Sequence, residues 1–381
     1  MKKNISIISP QWGTAGTDIN LLKIAEGLIT EGFDVRLLIV GDEWSGKKIK
    51  PEIKIVYLIP RYIFKFIKSK YIPWKMTMTL SVIFSIFPLI LYLKNNNGNY
   101  ILGLVPILAI LGFLISNVKS KIFFSIQGLP RSKIIFNINL FFLKFLSDVK
   151  YVIPTKSMKG YLDVKYKRSE SIEYQVVPNA VLDSNLISKS KELVNHTWYN
   201  SDKIFVITAV GRLTNQKDFT NLINAFALTA NSLDFIRLII IGSGEQKELL
   251  QSLVEDLGLE SRVEFLGFQA NPYKFMNASD LFVMSSKWEG PGHVLIEALG
   301  IGCPVITTNC PIGPSDSVQN GEFGELVEVG NSKALSEAIL YAFKNQSDML
   351  LKVKKSENYL KKFYTENVVN EYKKLLTNEY R

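Results

Sequence analysis

Two acidic residues flank a glycine-rich turn in the segment SSKWEGPGHVLIEALGIGCPVITT, which spans residues 285–308. Glu289 and Glu297 lie on either side of Gly290, Pro291 and Gly292. Glu289 follows a strand-like apolar run, and Glu297 is predicted to lie in the first turn of the helix HVLIEALG. Carboxylates accept hydrogen bonds from hydroxyl groups, and the free N–H groups at the start of a helix attract phosphate. The segment therefore predicts a site for a ligand that carries both hydroxyl and phosphate groups, such as a nucleotide with its ribose.

Two cations follow another predicted strand. In GRLTNQKDF (211–219), Gly211 permits a tight turn, while Arg212 and Lys217 place a guanidinium and an ammonium group at a strand end. A guanidinium can bind two oxygens at once and an ammonium acts as a point charge, so the pair suits a diphosphate. In the next such loop, Gly242 and Gly244 allow the backbone to approach a ligand closely, which is a weak signal by itself.

Strand and helix patterns alternate along the chain. The first unit combines the strand ISIISP (5–10), a glycine-bearing turn, a helical pattern and the strand DVRLLIV (34–40). Further strands are predicted at KIFFSIQ (121–127), VKYVIP (149–154), YQVVPNA (174–180), KIFVITAVGRL (203–213), FIRLIIIGSG (235–244), VEFLGF (263–268), DLFVMSS (280–286) and GCPVITT (302–308). This pattern predicts an α/β protein with two doubly wound domains that meet near residues 181–202. Ligands of such sheets bind beyond the carboxyl ends of the strands, where the cations and acids above are found.

The positive charge is concentrated in the first half. Residues 1–200 hold 27 Lys and Arg against 13 Asp and Glu, although the whole chain of 381 residues has a net charge of +10. Basic residues alternate with aromatic ones in RYIFKFIKSKYIPWK (61–75) and NLFFLKFLSDVKY (139–151). Such stretches are typical of proteins that bind an anionic membrane surface. No nucleic-acid partner is expected, because no recognisable binding motif accompanies the charge.

Two apolar segments leave a second interpretation open. Residues 76–93 and 100–118 are each close to the length of about 20 residues that spans a bilayer. An integral-membrane protein with a hairpin at 76–118 and a degenerate nucleotide-binding domain is therefore an alternative. The favoured interpretation is a protein core, because Pro88 and Pro106 interrupt the segments and YILGLV (100–105) reads as a buried strand followed by a helix.

The motifs and the composition of the sequence disfavour other classes of protein. A nicotinamide-dependent oxidoreductase, the remaining alternative, would need the pattern G-x-G-x-x-G, whereas WGTAGTD has only G-x-x-G. Two histidines and two cysteines, without a cluster, predict no metal site and no disulfide framework. The N-terminus does not resemble a secretory signal, so we expect a cytoplasmic protein.

A family resemblance rests on five segments. They are GRLTNQKDF, GSGEQKELL, VEFLGF, EGPGHVLIEALGIGCPVITTNCPIGP and NGEFGELV. In this order they resemble the C-terminal half of the GT4 family of retaining, nucleotide-sugar-dependent glycosyltransferases, and Glu289 with Glu297 matches its E-x7-E motif. GTAGTD, SIQGLPRS and VVPNAV resemble its weaker N-terminal landmarks, and NCPIGPSD is similar to a subgroup that builds bacterial surface polysaccharides on lipid carriers.

The resemblance implies the GT-B fold, in which two doubly wound Rossmann-like domains face a cleft and the C-terminal helix crosses back to the first domain. The implied domains are an acceptor-binding domain at 1–182, with 362–381 packing on it, and a nucleotide-sugar-binding domain at 183–361. The implied enzyme moves a hexose or N-acetylhexosamine from a nucleotide-diphosphate sugar to a lipid-linked (polyprenyl diphosphate) saccharide in O-antigen, capsule or exopolysaccharide synthesis. It needs no cofactor or metal and works at the anionic cytoplasmic face of the inner membrane.

The resemblance also implies roles for particular residues. Arg212 and Lys217 would bind the donor diphosphate, Glu289 the transferred sugar and Glu297 the ribose. The other implied donor-binding positions are Gly13, Gly16, Gln127, Gly211, Gly244, Gly292, His293, Val294 and Leu295. Many relatives carry histidine where this chain has Gln127, and glutamine can form hydrogen bonds to a sugar but cannot carry a proton. We therefore expect electrostatic stabilisation of the leaving diphosphate by the two cations to supply most of the rate.

Overall fold

The computed structural model describes residues 4–8, 16–40, 49–68, 72, 74–96, 99–102, 121–127, 149–166 and 173–377. The chain divides into two compact units, one formed by Met1–Ala180 with Thr365–Arg381 and the other by Val181–Tyr364. These limits lie a few residues from the predicted ones. The acceptor-binding and donor-binding roles of the two units stay predictions.

The N-terminal unit contains a seven-stranded sheet in the order β3-β2-β1-β4-β5-β6-β7, with every neighbouring pair parallel. Its strands are β1 (Asn4–Ile8), β2 (Asp34–Ile39), β3 (Lys54–Tyr57), β4 (Asn99–Leu102), β5 (Ile122–Ser125), β6 (Val149–Ile153) and β7 (Tyr174–Val176). The described helices of this unit are α1 (Gly16–Thr30), α2 (Arg61–Ile67), α3 (Trp74–Asn95) and α4 (Lys156–Tyr166), and after the second unit the chain returns as α13 (Thr365–Thr377).

The strands form where the sequence is apolar enough to be buried on both faces. Ile5, Ile7, Val35 and Leu37 are fully buried, as expected in a parallel sheet covered by helices. The short strand β3 was missed by the sequence analysis, because its four residues include exposed Lys54 and alternate too briefly to give a pattern.

The first apolar segment is the helix α3, which contains Pro88. Of the second segment, residues 99–102 form β4, whereas 103–120, including the helix predicted from Pro106, lie outside the described residues. None of the described helices combines the length and the apolar character that crossing a membrane requires.

The last helix, α13, packs on α1 of the N-terminal unit, as the resemblance implied. Val369 approaches Gly27 so closely that a Cβ on this glycine would lie 2.3 Å from the valine Cγ2 atom. Tyr372 is buried in the same core, and Lys373 forms an exposed ion pair with Glu31 at 2.6 Å.

The C-terminal unit contains a six-stranded parallel sheet in the order β10-β9-β8-β11-β12-β13. Its strands are β8 (Phe205–Val210), β9 (Ile236–Ile241), β10 (Val263–Gly267), β11 (Leu281–Met284), β12 (Val305–Thr308) and β13 (Glu325–Val327). Its helices are α5 (Ser184–Ser190), α6 (Phe219–Ala230), α7 (Lys247–Asp256), α8 (Tyr273–Asn277), α9 (His293–Gly300), α10 (Pro314–Ser317), α11 (Ser332–Lys344) and α12 (Gln346–Leu360). The predicted α/β class with parallel, doubly wound sheets is confirmed.

The strand order determines where this unit can bind a ligand. The chain runs outward from β8 through β9 to β10, then returns to the other side of β8 and continues from β11 to β13. The carboxyl ends of β8 and β11 therefore lie side by side where the winding direction changes, which is where doubly wound sheets bind ligands. The loops at 211–218 and 285–292 begin at these two strand ends.

Candidate active site

A buried ion pair joins the two central loops of the C-terminal unit. The Lys217 Nζ atom lies 2.5 Å from the Glu289 Oε1 atom, and the two side chains are 17% and 9% exposed. The same Oε1 atom accepts a hydrogen bond of 2.7 Å from the Ser286 hydroxyl. No described protein group donates to Glu289 Oε2, and two of the three Lys217 ammonium donors are uncommitted. The pair is thus fixed on one side and available to a ligand on the other.

Two consecutive serines position this ion pair from the end of β11. Ser285 donates to the carbonyl oxygens of Lys217 at 2.9 Å and Asp218 at 3.0 Å, so it holds the backbone beneath the lysine. Ser286 holds the Glu289 carboxylate, and its own carbonyl accepts a hydrogen bond of 2.6 Å from Thr308. Sequence analysis missed both serines, although their place directly after a buried strand was a usable signal.

Further hydrogen bonds connect the two loops. Lys287 reaches the Asn215 side chain at 2.9 Å and the Asp218 carboxylate at 3.3 Å. Gln216 donates to the Trp288 carbonyl at 2.9 Å. Asp218 adopts φ of 49° just before α6, a conformation that Asp tolerates better than most residues. These contacts hold the loops that carry Lys217 and Glu289 against each other.

Arg212 is placed differently from Lys217. It lies two residues beyond β8, its side chain is exposed, and among the described residues it has no hydrogen-bonding or ionic partner. Gly211 leaves room for Lys217, because a Cβ at this position would lie 3.2 Å from the lysine Cδ and Cε atoms. Among the described residues, this short loop thus carries one half-buried, paired cation and one exposed, unpaired cation.

The glycines after β9 serve the packing of loops against each other. A Cβ on Gly242, which has φ of 146°, would lie 1.8 Å from the Gly211 carbonyl oxygen, and one on Gly244 would lie 2.3 Å from the Leu213 carbonyl oxygen. Leu213 also receives a hydrogen bond at its carbonyl from the Gln246 backbone, at 3.0 Å. We expected these glycines to let the backbone approach a ligand closely, and that role stays a prediction. Their missing Cβ atoms also accommodate the neighbouring loop.

The start of α9 is shaped by two glycines. Gly292 precedes the helix with φ of 69°, which favours glycine. Gly313 has φ of 86°, and its Cβ would lie 2.0 Å from the Gly290 carbonyl oxygen, so the loop after β12 packs directly on the glycine-rich turn. His293 is the first helical residue and is half-buried.

Val294 and Leu295 are predicted donor-binding positions in α9, and their backbone N–H groups differ in whether they are available to a ligand. Val294 is half-buried and packs on the core, and the first N–H groups of a helix lack an acceptor within it. Leu295 is fully buried, and its backbone N–H donates to the Gly292 carbonyl at 3.0 Å. The donor of Leu295 is therefore engaged within the turn, and the residue supports the helix from the core.

Glu297 does not lie in the first turn of its helix, as the sequence analysis placed it. The helix begins at His293, so Glu297 is in the second turn, beyond the N–H groups of the terminus. The carboxylate instead accepts a hydrogen bond of 3.4 Å from the Tyr273 hydroxyl of α8. Burial, with the nearby Glu297 charge, raises the pKa of Tyr273, so this hydroxyl stays protonated as a donor. Tyr273, like the two serines, was not predicted from the sequence.

The predicted positions in the N-terminal unit are described only in part. Gln127 is 4% exposed and donates to the Ser125 hydroxyl at 2.5 Å, while its buried Oε1 atom has no hydrogen-bond partner among the described residues. Gly16 is the first residue of α1. Gly13 and most of SIQGLPRS lie outside the described residues.

The two cysteines are buried, and neither belongs to a group of described side chains that could bind a metal ion. Burial raises the pKa of Cys303, and burial together with the Glu289 charge raises the pKa of Cys310 to about 12. In the part of the chain that the structure describes, no group of three or more His, Cys, Asp or Glu side chains could hold a metal ion.

Residues 192–362 match the family model described as "Glycosyl transferases group 1". An uncharacterized glycosyltransferase of Methanocaldococcus jannaschii is 36% identical over 186 residues, which are 49% of this chain and 45% of the relative. The N-acetylgalactosamine-N,N'-diacetylbacillosaminyl-diphospho-undecaprenol 4-alpha-N-acetylgalactosaminyltransferase of Campylobacter jejuni is 38% identical over 133 residues, which are 35% of this chain and 36% of the relative. The matches thus span less than half the length of these curated relatives.

A solved structure extends the similarity of fold to nearly the whole chain. The crystal structure of Anabaena HepE in complex with UDP superposes with a TM-score of 0.75 and 17% identity, covering 99% of this chain and 100% of that one. The predicted GT-B fold is therefore confirmed. The segment at 192–362 that contains Arg212, Lys217, Glu289 and Glu297 is thus similar to the group 1 glycosyl transferases, which supports the prediction of a glycosyltransferase enzyme.

Proposed function

We propose that the protein is a retaining glycosyltransferase that moves a hexose or N-acetylhexosamine from a nucleotide-diphosphate sugar to a polyprenyl diphosphate-linked saccharide. The product would be part of an O-antigen, a capsule or an exopolysaccharide. The observation that carries the proposal is the Lys217–Glu289 pair, which presents uncommitted donors and a free carboxylate oxygen at the carboxyl ends of β8 and β11.

The site's charges suit the donor. Arg212 is an exposed guanidinium without a described partner, so it can bind two oxygens of a diphosphate. Lys217 can donate to a phosphate oxygen while it keeps its bond to Glu289. As the bond from the sugar to the diphosphate breaks, negative charge grows on the leaving group, and both cations stabilise it. The leaving diphosphate can itself accept the proton of the attacking hydroxyl, so no protein base is required.

The two glutamates have separate tasks in this proposal. Glu289 Oε2 accepts a hydrogen bond from a hydroxyl of the transferred sugar, while Lys217 and Ser286 hold Oε1 in place. Glu297, held by Tyr273, accepts hydrogen bonds from the ribose. These roles correspond to the E-x7-E motif, and retention of the anomeric configuration follows from the resemblance to a retaining family.

The names of similar proteins support the donor and the acceptor. HepE was solved with UDP, and the Campylobacter jejuni relative is named for transfer to a diphospho-undecaprenol-linked saccharide. We propose a nucleotide-sugar donor and a lipid-linked acceptor of this kind, with work at the cytoplasmic face of the inner membrane. Neither of the two alternatives raised by the sequence is favoured by these findings.

Calorimetry with UDP, ADP and GDP tests the donor site. Wild-type protein should bind at least one of them, and Arg212→Met and Lys217→Met should each weaken binding by about 10- to 150-fold, because a hydrogen bond to a charged group contributes about 1.5–3 kcal/mol. Lys203→Met, an exposed lysine before β8, is the matched control and should bind like wild type. Equal affinity of all three variants and the wild type would remove Arg212 and Lys217 from the site.

A further inference from the structure

The first half of helix α3 buries small polar side chains. Thr77, Ser81 and Ser85 recur every fourth residue, so they share one face. They are 1%, 1% and 6% exposed, and Thr77 donates to the Ile67 carbonyl at 3.2 Å. Leu89 and Leu93 continue this buried face in the second half, while large apolar side chains on the other side of the helix are exposed. An ordinary surface helix keeps its apolar side chains on the inward face.

The helix α2 packs against α3 and also exposes apolar side chains. Together they form what we call the α2–α3 surface. Its apolar members are Tyr62, Phe66, Met76, Ile83, Phe84, Phe87 and Leu91, and their exposed fractions range from 46% to 78%. Soluble monomeric proteins seldom expose contiguous apolar patches, and larger ones mark a site for a protein or membrane partner.

The charges around this surface distinguish between these partners. Lys65 and Lys68 are exposed one turn apart on α2, and Lys94 continues the stripe of Phe87 and Leu91 on α3. No Asp or Glu occurs anywhere from residue 61 to 96. In a symmetric dimer formed by this surface, the lysines of each copy would face the same acid-free surface of the other copy, which disfavours a second copy of the chain. A bilayer with anionic headgroups matches both the cations and the rings.

We propose that the α2–α3 surface enters the interfacial region of an anionic bilayer, with α3 lying parallel to the membrane. Phe66, Phe84 and Phe87 would reach the boundary of the acyl chains, while Lys65 and Lys68 contact lipid phosphates. The buried hydroxyl groups of α3 remain in the protein. The inference deepens the proposed function and rests on it in one respect, because a polyprenyl-linked acceptor is presented at such a surface.

Vesicle flotation tests this surface with the full chain. Vesicles contain phosphatidylcholine with 0, 20 or 40 mol% phosphatidylglycerol, a range chosen to vary the surface charge. The combined variant Phe66→Ser, Phe84→Ser and Phe87→Ser should bind about 100-fold more weakly at both low and high salt, because it loses apolar burial, which salt does not screen. Lys65→Gln with Lys68→Gln should weaken binding only at low salt and equal the wild type near 1 M, where the Debye length is about 3 Å.

A matched control and a local probe make the test specific. Leu350→Ser with Leu351→Ser removes two exposed apolar side chains from α12 of the other unit and should leave vesicle binding unchanged. Both native cysteines are buried, so Phe87→Cys can carry a single polarity-sensitive fluorophore, whose emission should shift to the blue on anionic vesicles. Equal binding of the Phe and Leu variants, or no shift of the probe, would overturn the proposal.

Two more measurements distinguish membrane binding by this surface from dimer formation and from the proposed function. Sedimentation without lipid should show that wild type and the Phe variant have the same mass, whereas a wild-type dimer that the Phe variant lacks would assign the surface to a second copy and overturn the proposal. Calorimetry with nucleoside diphosphates should give the same affinity for wild type and the Phe variant. Vesicle binding that persists in a protein without nucleotide binding would contradict the proposed function while the surface assignment stood.

Discussion

Removing Lys217 should cost more stability than removing an ordinary surface lysine, because it leaves a buried carboxylate behind. Glu289 is 9% exposed at its side chain and would keep only the Ser286 hydrogen bond. Breaking a buried ion pair by removing one partner costs about 3–5 kcal/mol, and the partial exposure of Lys217 places Lys217→Met near the lower limit, at about 3 kcal/mol.

The reverse single variant and the double variant complete the prediction. Glu289→Gln preserves the shape of the side chain and leaves an ammonium that can turn toward water, so we expect a loss of about 1.5 kcal/mol. The double variant leaves neither charge buried and should lose about 2.5 kcal/mol, less than the sum of about 4.5. The expected coupling energy between Lys217 and Glu289 is therefore about 2 kcal/mol, within the range for residues in contact.

Urea unfolding followed by tryptophan fluorescence measures these differences, and Trp288 reports directly beside Glu289. The chain supplies a matched control pair, Lys373 and Glu31, with a similar distance of 2.6 Å but side chains 40% and 39% exposed. Its coupling energy should be at most about 0.5–1 kcal/mol, as for other exposed pairs. Equal coupling energies for the two pairs would mean that burial does not strengthen the Lys217–Glu289 interaction, contrary to this prediction.

Three further predictions follow from other parts of the chain. Tyr273→Phe should weaken nucleoside diphosphate binding by about 2- to 10-fold in calorimetry, because Glu297 loses a donor worth about 0.5–1.5 kcal/mol, and unchanged binding would separate Tyr273 from the ribose contact. In the native protein at pH 8 a thiol reagent should label neither Cys303 nor Cys310, since burial raises both pKa values and leaves little thiolate, whereas denaturant should release both thiols; rapid native labelling would contradict this. Gly27→Ala should lower the free energy of unfolding by about 1–3 kcal/mol, because the new Cβ meets a stiff valine of α13, and denaturation equal to wild type would show that the helices separate without cost.

The sequence was sufficient to predict most strands, because buried parallel strands are long apolar runs with sharp polar ends. It also predicted that Lys217 and Glu289 serve the same site, but not that they form an ion pair. They lie 72 residues apart and meet only because β11 pairs with β8, while β9 and β10 lie on the other side. A pattern in the chain shows where strands occur but carries little information about this order.

One prediction about the site failed because of helix geometry. The helix begins at His293, as the sequence HVLIEALG indicates, but Glu297 is its fifth residue and therefore falls in the second turn. The packing at Gly242 and Gly244 could not be predicted from the sequence either, because the carbonyl groups that approach them belong to the loop after β8, which is distant in the chain.

A transfer reaction followed by proton NMR tests the proposed activity itself. Wild-type protein is incubated with a panel of nucleotide-diphosphate sugars and a polyprenyl diphosphate-linked saccharide, in the presence of a chelator. We expect that one donor is consumed, that the product keeps the donor's anomeric configuration, and that Glu289→Gln lowers the turnover without abolishing nucleoside diphosphate binding. Absence of transfer from every donor, or a product with inverted configuration, would contradict the proposed activity.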